Sequence, residues 1–163
     1  MRRMFSEKQI QGLAQEQAKA VKKDIVTLVD ANGNDRFIEG DITMEEITGL
    51  TQTYGKWSLS GTHFMIVVGF DLDTTATLSN SQTIADNIVL PDFILDKIVP
   101  LFANEVVDYQ TTNLRTDSWG STQFNYTLRK GTGKLYIASG SNITEGSYVR
   151  HGRIAFDLLI DNE

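Results

Sequence analysis

His63 and His151 are the only imidazoles in the chain, and there is no cysteine. That combination excludes disulfides, thiolate zinc sites and cysteine nucleophiles, and leaves a histidine metal site short of ligands. The strongest local sign of a serine–histidine–aspartate hydrolase is a strained elbow of the form G-x-S-x-G. Ser60-Gly61 and Ser118-Trp119-Gly120 are turn-like and lack its flanks. His63 opens the most apolar stretch and reads as a hydrogen-bonded residue at a sheet end. His151, within Tyr148-Val149-Arg150-His151-Gly152-Arg153, reads as a solvated residue approaching the last strand, with a surface-site role as the sharper alternative.

Other chemistries fare no better. Glycoside hydrolysis needs two carboxyl groups about 5 Å or about 6.5–9.5 Å apart. Nothing selects Asp71 with Asp73, or Glu45 with Glu46, over ordinary solubility charges. Asp30, Asn32 and Asn34 have the spacing that opens a calcium loop. However, Asp35 stands where the sharp turn wants glycine, and Asp41 where a bidentate glutamate belongs. The turn reading therefore wins, and no metal or cofactor is expected. Gly131-Thr132-Gly133 joins two strand-like runs and lacks the helix that would cradle a phosphate.

A binding role has better support. An aromatic ring can cover the apolar face of a sugar while amides and carboxylates take its hydroxyls. Trp119 lies in the loop-like Thr116-Asp117-Ser118-Trp119-Gly120-Ser121, and with Asp117, Asn113 and Tyr148 it forms the candidate ligand-binding set. Tyr126 and Tyr136 read as ordinary strand aromatics.

The elements that must position these residues begin with a helix. Ser6 and Gln9 make a capping box, and Phe5 with Ile10 a hydrophobic staple. Ile10, Leu13, Ala14 and Val21 form a thin apolar stripe, better suited to packing against copies of itself or a neighbour than to a globular core. A hairpin follows, from Ile25–Val29 through Asn32-Gly33 to Arg36–Gly40, and Thr43–Leu50 carries the signals of a short helical turn. His63–Phe70 is nearly continuous in apolar residues, the pattern of a strand buried on both faces or at a sheet centre. Short runs then recur: Val106–Tyr109, a polar Thr111–Asp117, Gln123–Leu128, Lys134–Ala138 and Arg153–Ile160.

This pattern predicts a mainly β protein, an antiparallel β-sandwich preceded by an N-terminal α-helix and a β-hairpin. Its expected organisation is a helix for assembly or attachment over 1–23, a hairpin and connector over 24–55, and the sandwich over 56–163. The net charge of −6 argues against non-specific nucleic-acid binding. No apolar run reaches the roughly 18 residues of a membrane span, so a soluble chain made in the cytoplasm is expected.

In order, the capped helix, Val29-Asp30-Ala31-Asn32-Gly33-Asn34 with Arg36-Phe37-Ile38-Glu39-Gly40, Trp57-Ser58-Leu59-Ser60-Gly61-Thr62-His63, Leu90-Pro91 and Ile98-Val99-Pro100 resemble baseplate, tail-fibre and head-fibre proteins of tailed phages and prophages. The resemblance spans most of the chain and rests on turn and strand signals. It implies a small jelly-roll-type sandwich in a homotrimeric virion component. Such a component contacts other virion proteins or a host cell-surface saccharide, and catalyses nothing. A stand-alone carbohydrate-binding module and a polysaccharide hydrolase are the readings from other classes.

Overall fold

The structure, a computed structural model, describes residues 32–100, 102–103, 105–116, 119–146 and 148–160. The expected helix with Ile10, Leu13, Ala14 and Val21, the first hairpin strand, and Asp117 lie outside the described residues.

Among the described residues eight strands form: β1 (Phe37–Asp41), β2 (Leu50–Ser60), β3 (His63–Leu72), β4 (Thr83–Ile88), β5 (Val106–Thr116), β6 (Ser121–Gly131), β7 (Lys134–Ser139) and β8 (Arg150–Leu159). A single-turn helix, α1 (Asp92–Leu95), follows Pro91. The protein is mainly β, as expected, with one antiparallel sheet in the order β1-β2-β3-β8-β5-β6-β7-β4. β2 runs through position 55, and β1 belongs to the same sheet as the later strands.

The sheet consists of two strand groups joined at one corner. β3 and β8 pair over their whole lengths, and so do most of β5 and β6. Between β8 and β5, pairing is confined to His151 with Arg115 and Arg150 with Thr116. The groups therefore splay from that corner, and their inner faces meet. Phe70 of β3 stands edge-on to Tyr126 of β6, centroids 5.9 Å apart, although two strands separate β3 and β6 in the sheet. The outer strands of the order are also drawn together. Met44, just after β1, bridges to Ala85 of β4, and Glu45 N–H donates to the Ile84 carbonyl at 2.9 Å. The sheet thereby nearly closes into a barrel.

Period-two alternation explains which side chains fill it. In β3, Phe64, Ile66, Val68, Phe70 and Leu72 are buried, and Leu59, Tyr126, Leu128, Ile137 and Phe156 join them. Gly40 lets the Trp57 indole lie against β1, because a Cβ there would sit 2.3 Å from Nε1.

Of the two alternatives for the His63–Phe70 run, the inner place in a sheet is the one observed, because β3 lies between β2 and β8 and is buried on one face, with Met65 on the other 42% exposed. Two local expectations need correction. Thr43–Leu50 is not helical. The Gln52 side chain takes the Met44 N–H and donates to the Ile42 carbonyl, each at 2.7 Å, so the backbone groups a helix would use are already engaged. Val106–Thr116 is one strand, because β6 supplies a ladder across the polar Gln110–Asn113 stretch.

Candidate functional site

The corner that joins the two strand groups also carries the densest outward-facing polar chemistry. Inward positions are set by Leu72, Leu114, Ile154 and Phe124, so residues one position out of phase must point outward. Register then aligns Asp71 of β3 with His151 of β8, His151 with Arg115 of β5, and Arg115 with Ser121 of β6. His151 Nδ1 and Asp71 Oδ1 are 2.7 Å apart. An ionised carboxylate only accepts, so Nδ1 carries the proton and the ring is held in one orientation.

Beside this row, a tight turn connects β5 to β6. Thr116 N–H donates to the Gly120 carbonyl at 3.0 Å, Trp119 N–H to the Thr116 carbonyl at 3.2 Å, and Gly120 N–H to Thr116 Oγ1 at 3.0 Å. Trp119 takes a left-handed backbone, φ 67°, and its side chain is 98% exposed. For a bulky residue that conformation costs about 1–2 kcal/mol, and an exposed indole recovers none of it by burial. Trp119, Arg115, Thr116 and His151 line a hollow of about 340 Å³. An aromatic wall, a guanidinium and an oriented imidazole can hold a small polar ligand with one apolar face.

Behind the corner, Arg150 is buried, and its guanidinium donates to the Thr144 carbonyl at 3.0 Å and to the Asp73 and Ala76 carbonyls at 3.5 Å each. It ties two loops to the start of β8. Asp73 is itself held by Thr75, whose hydroxyl and N–H donate to it at 2.6 and 2.8 Å, and these bonds keep its carboxyl below the usual range.

Among the residues anticipated for ligand binding, Trp119 lines the hollow. Asn113 is exposed on β5, two positions before Arg115 on the same face. Tyr148 is 53% exposed in the connection leading to β8 and is not part of the lining. Sequence reasoning did not single out Arg115 or Thr116, weighed Asp71 only as a carboxylate pair with Asp73, and set His151 aside as a solvated residue. The register that unites them is not local, since Asp71 and His151 are 80 residues apart.

His63 makes a comparable pair with Asp157, 2.8 Å apart, at the other end of the β3–β8 ladder. Ser60 stands opposite His63, which completes a serine, a histidine and an aspartate on one face. Among the described residues no hydrogen bond joins Ser60 to His63. The His63 and Asp157 side chains are 56% and 61% exposed, which is an open surface with no shelter for a reacting oxyanion.

A second surface is apolar. Val99, Phe102, Tyr109 and Leu159 are all about half exposed or more, and Phe102 stands edge-on to Tyr109 with centroids 5.0 Å apart. Val99 and Leu159 border a cleft of about 230 Å³ where β5 and β8 diverge.

No family model matches the chain, and no curated protein sequence does. Among solved structures, the bovine atadenovirus type 4 fibre head protein is similar with a TM-score of 0.39 and 9% identity, over 76% of this chain and 98% of that one. Among the described residues no helix is long and apolar enough to cross a membrane.

Proposed function

We propose that the chain is a non-enzymatic structural component of a phage-like particle, a baseplate, tail-fibre or head-fibre part, that touches a host-surface saccharide through the Trp119 corner. The observation that carries this reading is the indole itself, 98% exposed and held outward by left-handed backbone beside Arg115 and His151. The β5–β6 turn takes a left-handed residue at this position, and an exposed indole there in place of glycine leaves a large apolar ring available to a ligand. The order of helix, hairpin and strand signals, which resembles phage particle proteins, supports the rest.

In this reading residues 1–23 serve assembly or attachment, 24–55 connect while also supplying β1 and the first half of β2, and these strands together with 56–163 form a jelly-roll-like sandwich whose layers are the two facing strand groups. The protein self-associates as a homotrimer, meets other virion proteins and acts in the virion after synthesis in the host cytoplasm. The exposed Val99 and Leu159 beside one cleft, and Phe102 against Tyr109, offer apolar surface for contact between copies. The second reading, a stand-alone carbohydrate-binding module, uses the same corner without assembly. Light scattering on the full chain separates the two. A mass of three times 18.2 kDa is expected, and a monomer would move the assignment to the stand-alone module.

A further inference from the structure

The face that carries the Trp119 corner does not end at His151. Arg153 lies two residues further along β8, opposite Gly69 of β3, which in turn faces Tyr54 of β2. A second hollow of about 560 Å³ opens there, bordered by Tyr54, Met65, Val67, Gly69 and Arg153. Its floor is low because Gly69 adds no side chain, and Tyr54, 51% exposed, stands at its far side. From β2 to β5 the face spans three inter-strand steps, about 14 Å. One aromatic residue marks each end, and between them Arg153, His151 and Arg115 stand beside the apolar Met65 and Val67.

The two outward arginines occupy diagonal positions. Arg115 faces His151, and Arg153 is two residues on, a relationship that separates residues by about 7–8 Å. Among the described residues neither makes a hydrogen bond or an ion pair. The nearby acids are already engaged, Asp71 by His151 and Asp73 by Thr75. In a chain of net charge −6, Arg115 and Arg153 both face outward at this corner, with Arg150 buried behind them on backbone carbonyls. A local positive site on an acidic body directs an anionic ligand to that spot and repels it elsewhere.

We propose that this face binds an extended acidic oligosaccharide carrying carboxylates on successive units, with Arg115 and Arg153 on the carboxylates and Trp119 and Tyr54 against sugar rings at the two ends. The planar guanidinium fork matches a carboxylate in two hydrogen bonds, which a sugar hydroxyl cannot reproduce. Aromatic side chains cover the apolar ring faces that hydroxyl-directed contacts leave bare. The inference rests on the saccharide-contact reading above and adds the ligand class.

The test is an array of uronic-acid-bearing oligosaccharides beside neutral ones of matched length, probed with the full chain and with an Arg115→Met/Arg153→Met double variant. Thermal melting verifies that the double variant is folded. Binding confined to the carboxylated members is expected, with a loss of about tenfold or more in the double variant. Binding confined to neutral members, or carboxylated binding unchanged in the double variant, would overturn the acidic class while leaving the saccharide contact standing. Binding to neither kind would contradict both.

Discussion

Across the β3–β8 ladder, Asp71 accepts a 2.7 Å hydrogen bond from His151 Nδ1, and this bond orients the imidazole that lines the Trp119 hollow. Both side chains remain 40% exposed or more, so the pair adds little to folding, about 0–1 kcal/mol. Its importance is positional. Asp71→Ala should leave the unfolding midpoint nearly unchanged while weakening saccharide binding severalfold, measured by calorimetric titration beside a thermal melt. A large loss of stability with binding intact would reverse that assignment.

The seam where the outer strands approach should respond to pH. Glu45 follows Met44 at the bridge to β4, and its carboxyl is raised above the usual range, first by a hydrogen bond with Asp86 of β4 and then by burial. Asp86 is lowered, first by the hydrogen bond from Lys134, 2.8 Å away on β7. A raised folded value means the Glu45 contribution is fully present below its unfolded value and fades as pH rises through the folded one. The depressed Asp86 contributes above its unfolded value and loses that contribution as pH falls through its lowered one. The seam should therefore be firmest in mild acid and slacken towards neutrality. Thermal melts across that range should show the decline in the native chain, and Glu45→Gln should remove it. An equal decline in the variant would place the titrating group elsewhere.

Tyr126 offers a test of the core. Its ring is fully buried, its hydroxyl has no hydrogen-bond partner among the described residues, and burial pushes its phenol well above the ordinary tyrosine value. A buried hydroxyl without a partner costs about 1–3 kcal/mol. Tyr126→Phe should therefore be neutral or stabilising by about 1 kcal/mol, whereas Tyr126→Ala, which abandons the contact with Phe70, should cost about 3–5 kcal/mol. Denaturant melts measure both. Destabilisation by the phenylalanine variant would mean that the hydroxyl has a partner.

Self-association should depend on the exposed apolar group where β5 and β8 diverge. Leu159 is 78% exposed, so Leu159→Glu should cost the monomer less than about 0.5 kcal/mol. The same change should dissociate the assembly, read as a fall in mass by light scattering. An unchanged oligomer would move the contact between copies elsewhere.

How much of this was legible in the sequence follows from which partners are local. The alternation in Gln123–Leu128, the Gly131–Gly133 turn and the Lys134–Ala138 run are short-range signals, and they became β6, its hairpin and β7. Thr43–Leu50 misled because its capping pattern is local, while its competitors, the Gln52 side chain and the β4 backbone, depend on the fold. Trp119 stood out because its turn is local. Arg115, His151 and Asp71 could not be grouped without the register of three strands, since any one-residue slip turns them into the core.

The central claim is that the Trp119 corner is the point of contact with saccharide. The most direct measurement is binding of the full chain to purified host cell-wall saccharide, compared with a Trp119→Ala variant of equal folded stability. Because the indole is fully exposed, folding should be unaffected. The account predicts that affinity falls about tenfold or more in the variant. Wild-type affinity after removal of the indole would contradict it.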